Sequence, residues 1–335
     1  MKILSRPKGN AEEYGRWSVN PYVGCPHGCS YCYLKKGVWK NTLGGSVPTL
    51  KTGLLNEEHA YHVAMVEIIE NRDQIIRDGG LFMTFTSDPF LRETRTLFLN
   101  IATTSARHGI PVTILTKCGT DCVGRKFMDG YSDSLGYKLE YDLQKLAYGQ
   151  IAVGWTLTGH DELEPNASSN SERINAMKKF AETIRDVKLR ESISKPITSK
   201  MLFGSKTVID PHIWASIEPV ITFDASFDMI RQALDAGCQH FKIGLMTKNT
   251  KVCRSGFSFG GHDFAPYKMD ECVDFVEYVM ALTEGRATVY WKQSFVDFLQ
   301  QSEKHPQPVR GMDAREFLSQ WKHSVGKDWN MFNNK

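Results

Sequence analysis

Short apolar runs alternate along the chain with longer stretches whose apolar positions recur every three or four residues. That alternation predicts repeated β-α units on a mostly parallel sheet. Strands are predicted near residues 17–22, 82–86, 112–116, 151–157, 213–218, 240–245 and 287–292. Helices are predicted near 57–77, 94–107, 139–147, 172–185, 227–236 and 270–283. The second of these ends at Gly109, just before Pro111, which is good stop chemistry. Ser171 stands where an N-cap would open the helix over 172–185. The strand near 287–292 and the tail from 302 read as additions to six β-α units. The connection over 186–211 is long for such a unit. It carries Lys188, Arg190, Lys195, Lys200 and Lys206 against Asp186, Glu191 and Asp210. A solvated surface excursion is its first reading and a docking element its second.

A length of 335 residues allows two domains, yet α/β barrels of this size form one core. No stretch near the N-terminus resembles a signal peptide, and no window approaches a membrane span, so a cytoplasmic protein with no membrane partner is expected. Eight cysteines in such a chain read as reduced thiols and metal ligands. The net charge of +3 is too small to name a partner.

Three of those cysteines carry the chemistry. Cys25, Cys29 and Cys32 are spaced C-x3-C-x2-C in the stretch Asn20-Pro-Tyr-Val-Gly-Cys25-Pro-His-Gly-Cys29-Ser-Tyr-Cys32-Tyr33, just after an apolar run. Thiolates this close converge readily on an iron–sulfur cluster. In a 4Fe–4S cluster three protein ligands leave one iron open to bind something else. Zinc is the alternative, with His27 or a distant residue as fourth ligand.

The loop resembles the signature of the radical S-adenosylmethionine superfamily, C-x3-C-x-aromatic-C, with Tyr31 as the aromatic. The resemblance implies a 4Fe–4S cluster on Cys25, Cys29 and Cys32 whose unique iron is chelated by S-adenosyl-L-methionine. It implies that one electron splits the sulfonium into methionine and a 5′-deoxyadenosyl radical, and that Tyr31 lies beside the adenine. It further implies an electron donor of flavodoxin or ferredoxin type. The fold implied is α/β, a partial (β/α)6 TIM-type barrel over residues 1–300, with a C-terminal strand and helix extension. Residues 301–335 are expected to be a helical tail packed on that barrel. A narrower resemblance, over roughly residues 6–300, is to the spore photoproduct lyase-like, DNA repair photolyase-related branch. Its carriers are Arg6-Pro-Lys-Gly, Asn20-Pro-Tyr, Gly24-Cys-x-His27-Gly-Cys, Thr86-Ser-Asp-Pro-Phe90, Leu115-Thr-Lys117 and Glu164-Pro-Asn-Ala167 followed by Glu172-Arg173. Where spore photoproduct lyases place a hydrogen-donating cysteine, this chain has Phe85, which argues against thymine-dimer reversal by their mechanism.

Barrel chemistry sits at the C-terminal ends of the strands. Those ends offer Thr84, Thr86, Lys117, Thr158, Ser216, Glu218 and Lys242. Charges on apolar strands need partners or a ligand. Two readings stand for Lys117, Glu218 and Lys242: mutual ion pairing inside the barrel, or contacts to the methionyl end and ribose of S-adenosylmethionine. Ser216 and Thr158 are the better ribose candidates, and Thr84 and Thr86 the better candidates for the amino group. Cys118 and Cys122 lie just past the third strand, where a thiol can relay a hydrogen atom; small buried thiols are the plainer reading. Cys238, Cys253 and Cys272 are scattered. Two basic-aromatic stretches flank the expected mouth: Lys35, Lys36, Trp39 and Lys40; then Lys248, Lys251, Arg254, Phe257, Phe259 and His262. They suit a nucleic-acid substrate, whose base must leave its stack to reach a radical in a closed site. Gly-rich lids over the cofactor are the competing reading. The expected function is hydrogen-atom abstraction from an unidentified substrate by a lyase or modifying enzyme. The alternative is a zinc- or cluster-stabilised nucleic-acid-binding protein without radical chemistry.

Overall fold

The computed structural model describes residues 2–36, 40–119, 151–193, 212–248, 251–300, 308–319 and 324–325. Nine strands form the main sheet: β1 (Leu4–Ser5), β2 (Ser18–Val19), β3 (Leu81–Met83), β4 (Val112–Thr116), β5 (Ile151–Thr156), β6 (His212–Val220), β7 (His240–Leu245), β8 (Thr288–Trp291) and β9 (Ser324–Val325). They pair in sequence order, β1 antiparallel to β2 and every later neighbour parallel. Eight helices are present among the described residues. Helices α1 (Glu57–Glu70) and α2 (Arg72–Arg77) join β2 to β3, and α3 (Arg95–Arg107) joins β3 to β4. Helix α4 (Asn170–Ile193) precedes β6, α5 (Phe223–Asp235) precedes β7, and α6 (Met269–Thr283) precedes β8. Helices α7 (Gln293–Leu299) and α8 (Ala314–Ser319) lie between β8 and β9. None of these helices is long and apolar enough to cross a membrane.

Period-two alternation sorts the strand residues onto two faces. Leu81, Met83, Val112, Ile114, Ile151, Val153, Trp155, Ala215, Ile217, Phe241, Ile243, Val289 and Trp291 belong to the large core shared with the helices. On the opposite face Phe82, Ala152 and Trp214 form a small second core with Tyr14, Phe85 and Leu115. Further along that face the register row Thr156, Ser216, Lys242 and Tyr290 is polar. The segment between β1 and β2 crosses this face, and Tyr14 shows how the sheet bends. Its ring lies 5.7 Å from the Phe82 ring of β3 and 4.4 Å from Lys292 Nζ, just past β8. Five strand spacings in a flat sheet would separate those residues by about 24 Å. The sheet therefore curls around Tyr14. It does not close among the described residues, where no ladder joins β1 or β2 to β9.

Local chemistry moved several predicted boundaries. The strand expected over 17–22 stops at Val19. After Pro21, which has no N–H to donate, the chain enters a separate hairpin of Tyr22–Val23 with Thr49–Leu50. The strand expected over 82–86 stops at Met83, because Thr84 turns to φ +60°. The helix over 57–77 is broken at Asn71, whose side-chain amide donates to the Glu67 carbonyl at 2.8 Å. Ser171 is not the cap of α4. Ser169 is, since its Oγ accepts from Glu172 N while its own N–H donates to Glu172 Oε2 at 2.8 Å. That helix runs on to Ile193, so residues 186–193 are helical and not part of a connection. Residues 194–211, with Lys195, Lys200 and Lys206, and the helix expected over 139–147 lie outside the described residues.

Gly154 gives a direct test of the curled face. A Cβ built there would overlap the Trp214 indole, itself fully buried. Gly154→Ala should lower the urea midpoint by an amount equivalent to about 1–3 kcal/mol, the usual cost of overpacking. An unchanged midpoint would mean that the indole does not sit over this strand.

Candidate functional site

The cysteine loop leaves the C-terminal end of β2 and is pinned on several sides. Cys25 N donates to Gly45 O at 2.8 Å, Ser30 N to Leu163 O at 2.9 Å, and Asn166 N to His27 O at 3.1 Å. Two glycines make the turns possible. Gly24 has φ +92° and a Cβ there would press into the Val47 carbonyl; Gly28 has φ +74° and faces Pro165 and Asn166. Cys25, Cys29 and Cys32 are free thiols, with Cys29 buried. Burial, together with the Asp88 carboxylate, pushes the Cys25 thiol up to about 12. Burial also raises Cys29, with Lys117 pulling the other way. Thiols held this way become thiolates only beside a compensating cation, which is what a metal centre supplies. Three soft donors on one eight-residue loop, none of them in a disulfide, fit an iron–sulfur cluster.

Two buried carboxylates brace the loop. Asp88, after β3, sits 2.9 Å from His27 Nε2. It also accepts from Lys117 N (2.8 Å), Phe90 N (2.9 Å) and the Thr116 hydroxyl (2.7 Å). Burial pushes its pKa up, but the bond to His27 and the backbone donors outweigh it and hold the group at about 2. Cys118 is buried, and its thiol points to Asp88 Oδ1 at 3.6 Å. His27, Asp88 and Cys118 thus bring their polar atoms within 4.8 Å of one another. The other ring nitrogen of His27 lies 3.4 Å from Asn166 O. With both nitrogens engaged, His27 is not turned to the three cysteines as a fourth zinc ligand.

The second carboxylate, Glu164, follows β5. Lys117 Nζ lies 2.9 Å from its Oε1 and Arg173 2.7 Å from its Oε2; Tyr31 OH donates to it as well. Thr158 Oγ1 is 3.4 Å from Oε2. Burial raises Glu164, yet the Lys117 and Arg173 charges win and hold it at about 2. Tyr31, Lys117 and Thr158 therefore meet at one carboxylate beside the cysteines.

Ser216, Glu218 and Lys242 form a different group on the curled face. Tyr14 OH bonds Ser216 and Glu218, and Glu218 is paired with Lys292 at 2.6 Å. Lys292 also reaches Glu13 at 3.5 Å. Lys242 donates to the Glu13 carbonyl and packs by the rings of Tyr14, Tyr290 and Trp214. Burial and the nearby Lys292 lower its pKa to about 7. Ion pairing across the sheet is thus realised for Glu218 through Lys292. Thr84 and Thr86 stand apart from both groups, with their hydroxyls against Asn20 Oδ1 and the Tyr22 carbonyl. Phe85 stacks on Phe82 at 4.4 Å, so no thiol stands at that point. Cys122 lies outside the described residues.

Glu164, Arg173 and Asp88 stand in the sequence only as parts of matching segments, and His27 also as a candidate zinc ligand. Glu13 and Tyr14 carried no signal, because their partners are more than 200 residues away, and the 74 residues between Lys292 and Glu218 hide that pair as well. The hairpin Phe257–Phe259/His262–Phe264 brings Gly260 against Ser30 and Leu163 and so borders the cysteine loop. Lys36 lies 4.1 Å from the Phe259 ring centroid.

No protein-family profile and no curated protein matches the chain. Among solved structures, Streptococcus suis SuiB bound to S-adenosylmethionine is similar at 13% identity and TM-score 0.48, over 86% of this chain and 53% of that one. A second structure of Streptococcus suis SuiB gives 12% and 0.47, over 92% and 56%. Dihydroorotate dehydrogenase (DHODH) from Eimeria tenella in complex with ferulenol gives 10% and 0.33, over 70% and 62%. The chain spans about half the length of the SuiB structures it resembles. Likeness this distant assigns neither a family nor a chemistry to this chain.

Proposed function

We propose that this chain is a radical S-adenosylmethionine enzyme that takes a hydrogen atom from an organic substrate, with Cys25, Cys29 and Cys32 as ligands of a 4Fe–4S cluster. The observation that carries this reading is the C-x3-C-x2-C loop itself, pinned at the C-terminal ends of parallel strands with one thiol buried and all three free. When bound, the cluster supplies the one electron that splits the sulfonium of S-adenosylmethionine, releasing methionine and the 5′-deoxyadenosyl radical that attacks substrate. The electron comes from a donor of flavodoxin or ferredoxin type.

The chain's own residues bind, orient and exclude water. Lys117 has three N–H donors, and Tyr31 OH and Glu164 take two of them. With its side chain still partly exposed, it is placed to meet the methionyl carboxylate. Tyr31, fixed by Glu164, offers its ring to the adenine. Ser216 on the curled face and Thr158 at the Glu164 side serve the ribose. Thr84 and Thr86 serve the amino group, while Glu218 and Lys242 line the curled face. The spore photoproduct lyase-like branch and the partial barrel remain part of this reading, supported by the matching segments and by the curled, sequentially ordered sheet. Nucleic acid is the substrate class to screen first. Lys36 beside Phe259, with exposed Lys248, Lys251 and Arg254 on the neighbouring loops, suits phosphates and stacked bases.

Anaerobic reconstitution with iron and sulfide, then reduction in the presence of S-adenosylmethionine, should yield 5′-deoxyadenosine and methionine in equal amounts. Fully loaded, reducible protein that forms neither, with or without added oligonucleotide, would refute the enzyme assignment.

A further inference from the structure

The charges around Glu164 do not balance. Lys117 and Arg173 bring two cations to one carboxylate, and Arg173 is always protonated. The guanidinium is fully buried and further fixed by the Thr156 carbonyl at 2.8 Å and the Ser168 carbonyl at 2.7 Å. Glu164 itself has no exposed side-chain surface. One positive charge is therefore left over in a low-dielectric pocket. The pocket borders the cysteines by two direct links. Tyr31, between Cys29 and Cys32, is bonded to both Glu164 and Lys117, and Leu163 holds the Ser30 N–H. Two opposing charges are nearby: Asp88 stands on the Cys25 side, against His27, and the Glu172 carboxylate is turned to Ser169 at the start of α4.

We propose that the Lys117–Glu164–Arg173 group sets the reduction potential of the iron–sulfur site by holding one surplus positive charge against it. The inference rests on the reading that Cys25, Cys29 and Cys32 hold such a site. Reduction adds one electron from the external low-potential donor, with no bond made or broken. A fixed cation lowers the free energy of the more negative state, and net charge and burial are known levers on cluster potentials. Glu164 is a positioning residue in this scheme. It holds both cations in place and cancels one of them.

Potentiometric titration of the reconstituted full chain, followed by visible absorption and electron paramagnetic resonance, tests the sign of the effect. Lys117→Met should move the midpoint to more negative potential, and Glu164→Gln should move it to more positive potential. Each shift should change the reduced-to-oxidised ratio at fixed poise about tenfold or more, about 59 mV for a one-electron couple. Lys117→Arg should stay near the unsubstituted protein. A structural role would give shifts of the same sign in the first two variants, or none, and either result overturns the proposal. Loss of iron loading in all three variants also overturns it, since a purely electrostatic role leaves the thiol ligands in place. Failure of the unsubstituted chain to load iron would sink the cluster reading itself, and that is seen before any potential is measured.

Discussion

Protein carrying Cys29→Ala is expected to emerge from anaerobic reconstitution colourless, with iron at background, and to form no 5′-deoxyadenosine. Cys29 is the buried thiol of the loop and lies between the other two ligands in sequence. Without it, two thiols remain, too few to hold a cluster against loss to solution. Loss of a residue that merely orients a metal ligand costs about 10–100-fold in affinity or activity. Loss of the ligand itself should exceed a hundredfold. The fold should survive, because the loop is anchored through main-chain bonds from Cys25 and Ser30 that the substitution leaves alone. Cys238→Ala is the matched control. That thiol is also buried, but it donates to the His240 carbonyl at 3.2 Å, so iron content should not change. Full iron and brown colour in the Cys29 variant would remove Cys29 from the ligand set.

The sheet and the cysteine loop were legible in the sequence for different reasons. Strands β4 to β8 are apolar runs with clear ends, and the curled sheet imposes no further condition on them beyond burial on both faces. The loop was legible because ligand spacing is local. Capping was read two residues late at Ser171, since Ser-Ser-Asn-Ser offers several hydroxyls and only the Glu172 side chain selects Ser169. Of the polar face between Tyr14 and Lys292, the strand-end residues Ser216, Glu218 and Lys242 were legible, and their partners were not. Glu13, Tyr14, Glu218 and Lys292 are paired by how far the sheet curls, and nothing in a linear pattern carries that curvature. Lys117 shows the intermediate case. Its position at a strand end is local information, while its choice of Glu164 depends on a turn that also returns to hold the cysteine loop.

Acid should unfold the metal-free protein early, and Asp88 should account for a large share of the loss. Its folded pKa of about 2 lies below the roughly 3.9 of an unfolded aspartate. A depressed carboxylate contributes stability that is fully present above the unfolded value and is lost as pH falls through the folded one. The window therefore runs from about pH 5 down to about pH 2, and the amount is about 2–3 kcal/mol. Glu164, also held at about 2, titrates in the same window, so the single substitution is needed to separate them. Asp88→Asn keeps the shape but turns an amide donor toward His27 Nε2 or toward the donors at Lys117 N, Phe90 N and Thr116. That conflict should cost about 1–3 kcal/mol at pH 7, the usual penalty for a buried polar group left without its partner. Urea midpoints of both proteins at pH 7 and pH 3 should then converge toward acid, where the wild-type carboxylate has begun to lose the advantage of its charge. If the two midpoints instead fall in parallel, Asp88 is not the group that couples the cysteine loop to β3 and β4 through its charge.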